Sequence, residues 1–142
     1  MTPHREIACA LLLDRSDRFL LQRRDNNPTI LFPGFIGPFG GHREGDETFL
    51  ECVVREIHEE IGLFLAPGRF TLLARYQGFD FETTHGGTSH AEFFVARDVP
   101  VEHLMITEGK LVIAETGKLG GMEKEFTPAL RFALGAFFRA QS

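Results

Sequence analysis

Between Thr48 and Gly62 a single helix has to pack a core and carry a dense row of acid, and that double demand limits the folds open to the chain. Thr48 stands three residues ahead of Glu51, the spacing of a capping box, and Gly62 supplies the left-handed position that ends a helix. The pattern predicts a helix from about Phe49 to Ile61. Leu50, Val53, Val54, Ile57 and Ile61 fall in one apolar stripe about 100° wide, which needs a sheet to pack on. Glu59 and Glu60 lie about 60° before and about 40° after Glu56 on the helical wheel, so the three carboxylates share one edge and are expected to converge at a cleft. Bare like charges there raise one another's pKa or weaken the helix, whereas a hard divalent cation makes the cluster a binding site, so Mg²⁺ or Mn²⁺ is the expected occupant.

A chain of 142 residues suits one core, so residues 1–142 are expected to form a single domain. An apolar fraction of 43% and a charged fraction of 25% fit a soluble globular protein. Fifteen Phe, one Tyr and no Trp leave phenyl rings to fill the core and to line any pocket. The formal charge of -5 argues against broad binding to nucleic acid, which wants a basic face, but leaves room for a phosphorylated small molecule if a cation mediates. Cys9 and Cys52 have no metal or disulfide spacing, which fits a reduced, cytoplasmic setting. Ile7 to Leu13 superficially imitates a signal peptide, but Glu6, Asp14 and Arg15 flank it and no cleavage site follows, so it reads as a buried strand. No stretch approaches the roughly 18 apolar residues of a membrane span.

Phe19 to Gln22 is a second apolar run, separated from the first by the polar turn 14–18, and the two read as a hairpin. Asp25 to Gly41 holds Asn26-Asn27-Pro28 and Phe32-Pro33-Gly34 as breakers and reads as a long loop, which in a compact domain is usually functional. Phe70 to Tyr76 and Ala91 to Ala96 form a second predicted hairpin, joined through the polar stretch Glu82 to Ser89. Leu111 to Ala114 fits a short strand. Thr127-Pro128 reads as an N-cap with proline at the first helical position, opening a helix to about Arg139 that buries Leu130, Leu134, Phe137 and Phe138.

Gly41, Glu47, Arg55, Glu56, Ile57, Glu59, Glu60, Gly62 and Leu63 fill, in register, the pattern G-x5-E-x7-R-E-U-x-E-E-x-G-U, where U is aliphatic. Over residues 41–63 the chain therefore resembles the Nudix hydrolases, MutT-like members in particular. Its element order and length resemble that family's α/β (α+β) fold, an α/β/α sandwich around a central mixed β-sheet. The resemblance implies hydrolysis of a phosphoanhydride in a nucleoside diphosphate linked to another moiety, by attack of water on phosphorus with Mg²⁺ or Mn²⁺ as cofactor. It makes Glu56, Glu59 and Glu60 metal ligands, joined by the Gly41 carbonyl, and gives Glu47 a hydrogen bond to Arg55 or an extra metal contact. Arg55 has Glu51 and Glu59 four residues to either side, so its guanidinium is expected to order the acidic edge.

Two residues compete for the general base. Glu59 lies within the box; Glu108, in Thr107-Glu108-Gly109-Lys110, resembles the Glu-Gly loop that supplies a metal ligand or base in MutT-like members, and otherwise reads as an exposed loop acid. Arg23 and Arg24 resemble MutT-like chains in which an arginine there touches substrate, the bland reading being a solvated strand end. Phe32, Phe35 and Phe39 either stack on a base or anchor their loop. His42, His85 and His90 match no metal-ligand spacing and read as solvated or hydrogen-bonded. The markers of ADP-ribose and dinucleoside polyphosphate enzymes are absent, since Gly78-Phe79 and Asp80-Phe81 stand in those places. A nucleoside triphosphate pyrophosphohydrolase is accordingly the favoured reading, ahead of an ADP-ribose or nucleotide-sugar pyrophosphatase and of a nucleotide-sensing module without turnover. An isopentenyl diphosphate isomerase is a remote rival, because Cys52 sits among apolar residues, a poor place for a reactive thiol. The expected partner is a small nucleotide, with no nucleic acid and no membrane; a homodimer is allowed.

Overall fold

The computed structural model describes residues 4–83 and 86–141. Seven strands and two helices follow in the order β1 (His4–Asp14), β2 (Phe19–Arg23), β3 (Ile36–Gly37), β4 (Phe39–His42), α1 (Phe49–Ile61), β5 (Thr71–Phe79), β6 (Thr88–Val99), β7 (Lys110–Ala114) and α2 (Pro128–Gln141). All strands join one mixed sheet, in which β1 runs parallel to β6 and antiparallel to β2 and β4. Among the described residues no helix is long and apolar enough to cross a membrane.

Alternation along β1 builds two cores. Ile7, Cys9, Leu11 and Leu13 point to the face covered by α2, where Leu130, Ala133, Leu134 and Phe137 meet them. Ala8, Ala10 and Leu12 point to the other face, against Cys52, Val53, Ile57 and Ile61 of α1. A strand buried on both faces carries apolar residues continuously, which is why Ile7 to Leu13 has no polar interruption. The result is the expected sandwich of helix, mixed sheet and helix. Phe138 departs from its predicted burial: it is 38% exposed and makes edge-on contacts with Phe19 and Phe137.

The predicted hairpin of β1 and β2 is short, with pairing confined to Leu12↔Leu20 and Leu13↔Phe19. Beyond it the two strands part, and the segment 36–42 fills the gap. Ile36 and Gly37 pair with β2, and Phe39 to His42 pair with the first half of β1. Pro38 has no amide to donate and sits where the segment changes partner. The predicted long loop thus gives way to two short strands from Ile36 onward, because β1 and β2 each offer an open edge there. Gly40 passes so close to β1 that a Cβ would collide with the Ala8 carbonyl. What remains a loop, residues 24–35, is cross-linked by Arg24 N to Phe35 O at 2.7 Å and Gly34 N to Asp25 O at 3.1 Å.

Candidate active site

α1 begins and ends as its sequence requires. The Thr48 hydroxyl accepts from Glu51 N at 3.0 Å while Thr48 N donates to Glu51 Oε1 at 2.7 Å, and Gly62 closes the helix at φ 69°. Between these ends the acidic edge meets β4 where β4 has no side chains. The Glu56 carboxylate occupies the space that a Cβ on Gly41 would fill, and Glu60 accepts the Gly40 amide at 2.8 Å. Glu60 is buried, and its carboxyl is pushed up to about 8, chiefly by loss of solvent and further by the neighbouring charges of Glu56 and Glu108, against the pull of the Gly40 amide.

Arg55 binds this cluster from outside. Its Nε and Nη2 hold Glu47 at 3.1 and 2.7 Å, Nη1 holds Glu56 at 2.8 Å, and Nη2 also donates to the His42 carbonyl at 3.0 Å. The two-pronged contact takes the Glu47 carboxyl down to about 2 and raises the guanidinium. The expected Glu51 contact does not form, because the capping box has already taken that carboxylate; Glu47, eight residues back, replaces it. Cys52 lies behind the cluster with its thiol toward the Gly41 carbonyl at 3.6 Å, and burial pushes it up to about 12, so it is an inert core thiol.

Glu56 and Glu60 open on a cleft of about 370 Å³. Arg24, Leu31 and Phe32 form one wall, and Gln22 and Glu108 lie beside them. Arg5, Glu82, Thr127 and Ala129 form a further part of the cleft wall. That wall is tied together by Arg5 donating to both oxygens of Asp80 at 2.6 and 3.0 Å, and by Glu82 accepting from Ala129 N at the start of α2 at 3.1 Å. Sequence reasoning missed Arg5, Asp80 and Glu82. An arginine facing inward at the start of an apolar strand was the available signal, since a buried guanidinium requires an acid partner.

Of the residues singled out from sequence, Gly41, Glu56, Glu60, Glu108 and Arg24 line the cleft. Glu47 and Arg55 stand just behind it. Glu59 does not line it: its side chain is 59% exposed and pairs with Arg55 at 3.5 Å. Arg23 points elsewhere, to the Gly34 carbonyl at 3.0 Å and Glu125 at 2.9 Å. Phe32 reaches the cleft, Phe35 packs edge-on against Phe32, and Phe39 is fully buried. His42 is on the cleft, His90 packs on Phe49, and His85 lies outside the described residues.

Among the described residues no three acidic, histidine or cysteine side chains stand close enough together to form a metal cage. The expected convergence of Glu56, Glu59 and Glu60 is therefore only half formed, with Glu59 turned to solvent. The donor chemistry nonetheless suits a hard cation. The glycine seat of Glu56 is a cradle that any side chain would block, and Glu60 and Glu108 add two more oxygen donors to the same cleft.

Comparison with known proteins agrees with the fold. The model of the NUDIX domain matches residues 2–119. Among curated relatives, an ADP-ribose pyrophosphatase of Methanocaldococcus jannaschii is 39% identical over 77 residues, 54% of this chain and 43% of that protein. An m7GpppN-mRNA hydrolase of Bos taurus is 36% identical over 66 residues, 46% of this chain and 22% of that protein. The chain thus spans less than half the length of the curated relatives it matches. Among solved structures, a MutT protein from Methanosarcina mazei superposes with a TM-score of 0.81 at 24% identity, over 99% of this chain and 97% of that one, a likeness of fold. With the NUDIX domain model matching residues 2–119, which hold every strand of the sheet and α1, the chain belongs to the NUDIX domain family.

Proposed function

We propose that the protein is a divalent-metal-dependent hydrolase of a phosphoanhydride bond in a nucleoside diphosphate derivative, a nucleoside triphosphate pyrophosphohydrolase first of all. The observation that carries this reading is that Glu56, Glu60, Glu108 and Arg24 face one cleft large enough for a nucleotide's phosphates. Glu56 and Glu60, with the Gly41 carbonyl, would hold Mg²⁺ or Mn²⁺, and Glu59 would have to swing inward from Arg55 to join them. When bound, the cation supplies neutralisation of the phosphate oxygens and of the leaving group. Arg24 binds a phosphate oxygen at the cleft wall. Arg55, braced by Glu47, fixes the Glu56 carboxylate. A Glu108 carboxylate oxygen takes the proton from the attacking water, and it is favoured over Glu59 because it lines the cleft. Two buried thiols left unpaired fit the reducing setting of a cytoplasm.

A second reading, ADP-ribose as substrate, is favoured by the Methanocaldococcus relative. The test is a panel of nucleoside triphosphates, ADP-ribose, nucleotide sugars and a capped dinucleotide, each assayed with Mg²⁺ and analysed by product mass. Nucleoside monophosphate and pyrophosphate from a triphosphate are expected, and Glu56→Gln, Glu60→Gln and Glu108→Gln should each cut kcat by roughly 10²-fold or more. Nucleotide binding without turnover of any substrate would instead make the protein a sensor. Full activity in all three variants would overturn the proposed site.

A further inference from the structure

The segment that carries Glu108 is pinned at both ends by bonds that the cleft itself does not need. α1 ends with carbonyls that have no partner within the helix, and three of them are met by one passing stretch of chain. Met105 N donates to Ile61 O at 2.7 Å, Thr107 N to Glu60 O at 3.1 Å, and the Thr107 hydroxyl to Glu59 O at 2.9 Å. Gly62 makes this approach feasible, because a Cβ there would lie 2.9 Å from the Met105 carbonyl oxygen. On the far side Gln22 of β2, itself buried, donates its side-chain amide to Glu108 O at 3.1 Å. Gly109 then turns at φ +66° with its Cα against the Arg23 carbonyl, where no side chain would fit.

We propose that Thr107 and Gln22 are positioning residues that clamp the Glu108 backbone between the last turn of α1 and strand β2, so that its carboxylate is held at the fixed height of Glu60. The role rests on the function proposed above, in which Glu108 is the base. Physically the clamp answers a problem of charge. Glu108 and Glu60 are both acids on one cleft, and a loop free to move would carry Glu108 away from its neighbour into water. The hydroxyl of Thr107 matters more than its hydrogen bond alone would suggest, because it ties the base to the helix that carries Glu56 and Glu60. Thr107 is exposed, so losing its hydroxyl costs the fold little.

Thr107→Val keeps the shape and removes the donor. It is expected to lower kcat between about 10- and 100-fold with KM little changed, as misplacement of a reacting group does. Thr107→Ser should restore kcat, and the melting temperature of all three proteins should agree within experimental scatter. Placed in a Glu108→Gln background, Thr107→Val should cost nothing more, since the group it positions is gone. Gln22→Met is expected to act in the same direction. Wild-type kcat in Thr107→Val with Glu108→Gln inactive overturns the clamp alone. An equal loss from Thr107→Val in both backgrounds overturns it too, because the bond would then serve something other than Glu108. Full activity in Glu108→Gln removes the base assignment and the clamp together.

Discussion

A single methyl group at residue 41 is enough to displace the carboxylate of Glu56, because the bare Cα of Gly41 is the surface on which that carboxylate rests. Gly41→Ala should therefore lose most activity, and the fault should be local. Added Mg²⁺ is expected to raise the melting temperature of the native protein, since a ligand bound only by the folded state stabilises it, and to leave Gly41→Ala and Glu60→Gln almost unmoved. A Mg²⁺ shift of native size in both variants would dismiss this corner as the cation site. At this scale helical spacing was informative for Glu56 and Glu60, which reach the cleft, but not for Glu59, whose side chain turns out to Arg55. The sequence was blind where neighbours decide. Arg23 ends β2 and Arg24 opens the loop after it, and nothing local said that Glu125 and the Gly34 carbonyl would take Arg23 while Arg24 lines the cleft.

α1 is the element on which both the lower core and the cleft depend, and its first turn is held by the reciprocal bonds of Thr48 and Glu51. Thr48→Ala should cost about 1 kcal/mol of stability, read as a lower urea midpoint with unchanged slope. Loss of activity should follow only as far as unfolding does, because Thr48 lies away from the cleft. The limits of this helix could be read in advance since cap and stop residues act within a few positions of themselves. β3 and β4 could not, because Gly-Pro-Phe-Gly-Gly has no strand propensity and becomes extended only by pairing with edges that β1 and β2 leave open. The same distance effect redirected Arg55 from Glu51 to Glu47: two demands on one carboxylate were settled by the helix end.

For the whole molecule, three buried acids, Asp80, Asp14 and Glu60, shape the response to pH. Asp80 lies under the Arg5 guanidinium, whose hydrogen bonds hold its carboxyl below the usual range. Burial pulls Asp14 upward, but bonds from Arg18 and from Ser16 N outweigh it and its carboxyl also falls below normal. A carboxyl that is more acidic folded than unfolded contributes stability above the unfolded pKa, and that stability is lost as pH falls through the folded one. Stability should thus decline below about pH 4 through Asp80 and Asp14, and it should also fall as pH rises from there toward about 8, because Glu60 keeps its proton in the folded chain and loses it in the unfolded one. Asp80→Asn should be less stable at pH 7 and show a shallower acid slope in urea titrations; an unaltered slope would exclude the pair as its source. The layered architecture was legible from β1, whose unbroken apolar run demands cover on both faces. The Arg5–Asp80 tie was not, because it joins strand β1 to the end of β5, 75 residues away. One consequence reaches into engineering. Five of the seven residues that patch the gap between β1 and β2, Gly37, Pro38, Gly40, Gly41 and His42, also line the cleft, so replacing their glycines with alanine, or with better strand formers, would rigidify the sheet only by burying its working surface. A heat-resistant variant that still turns over substrate has to be sought away from this patch.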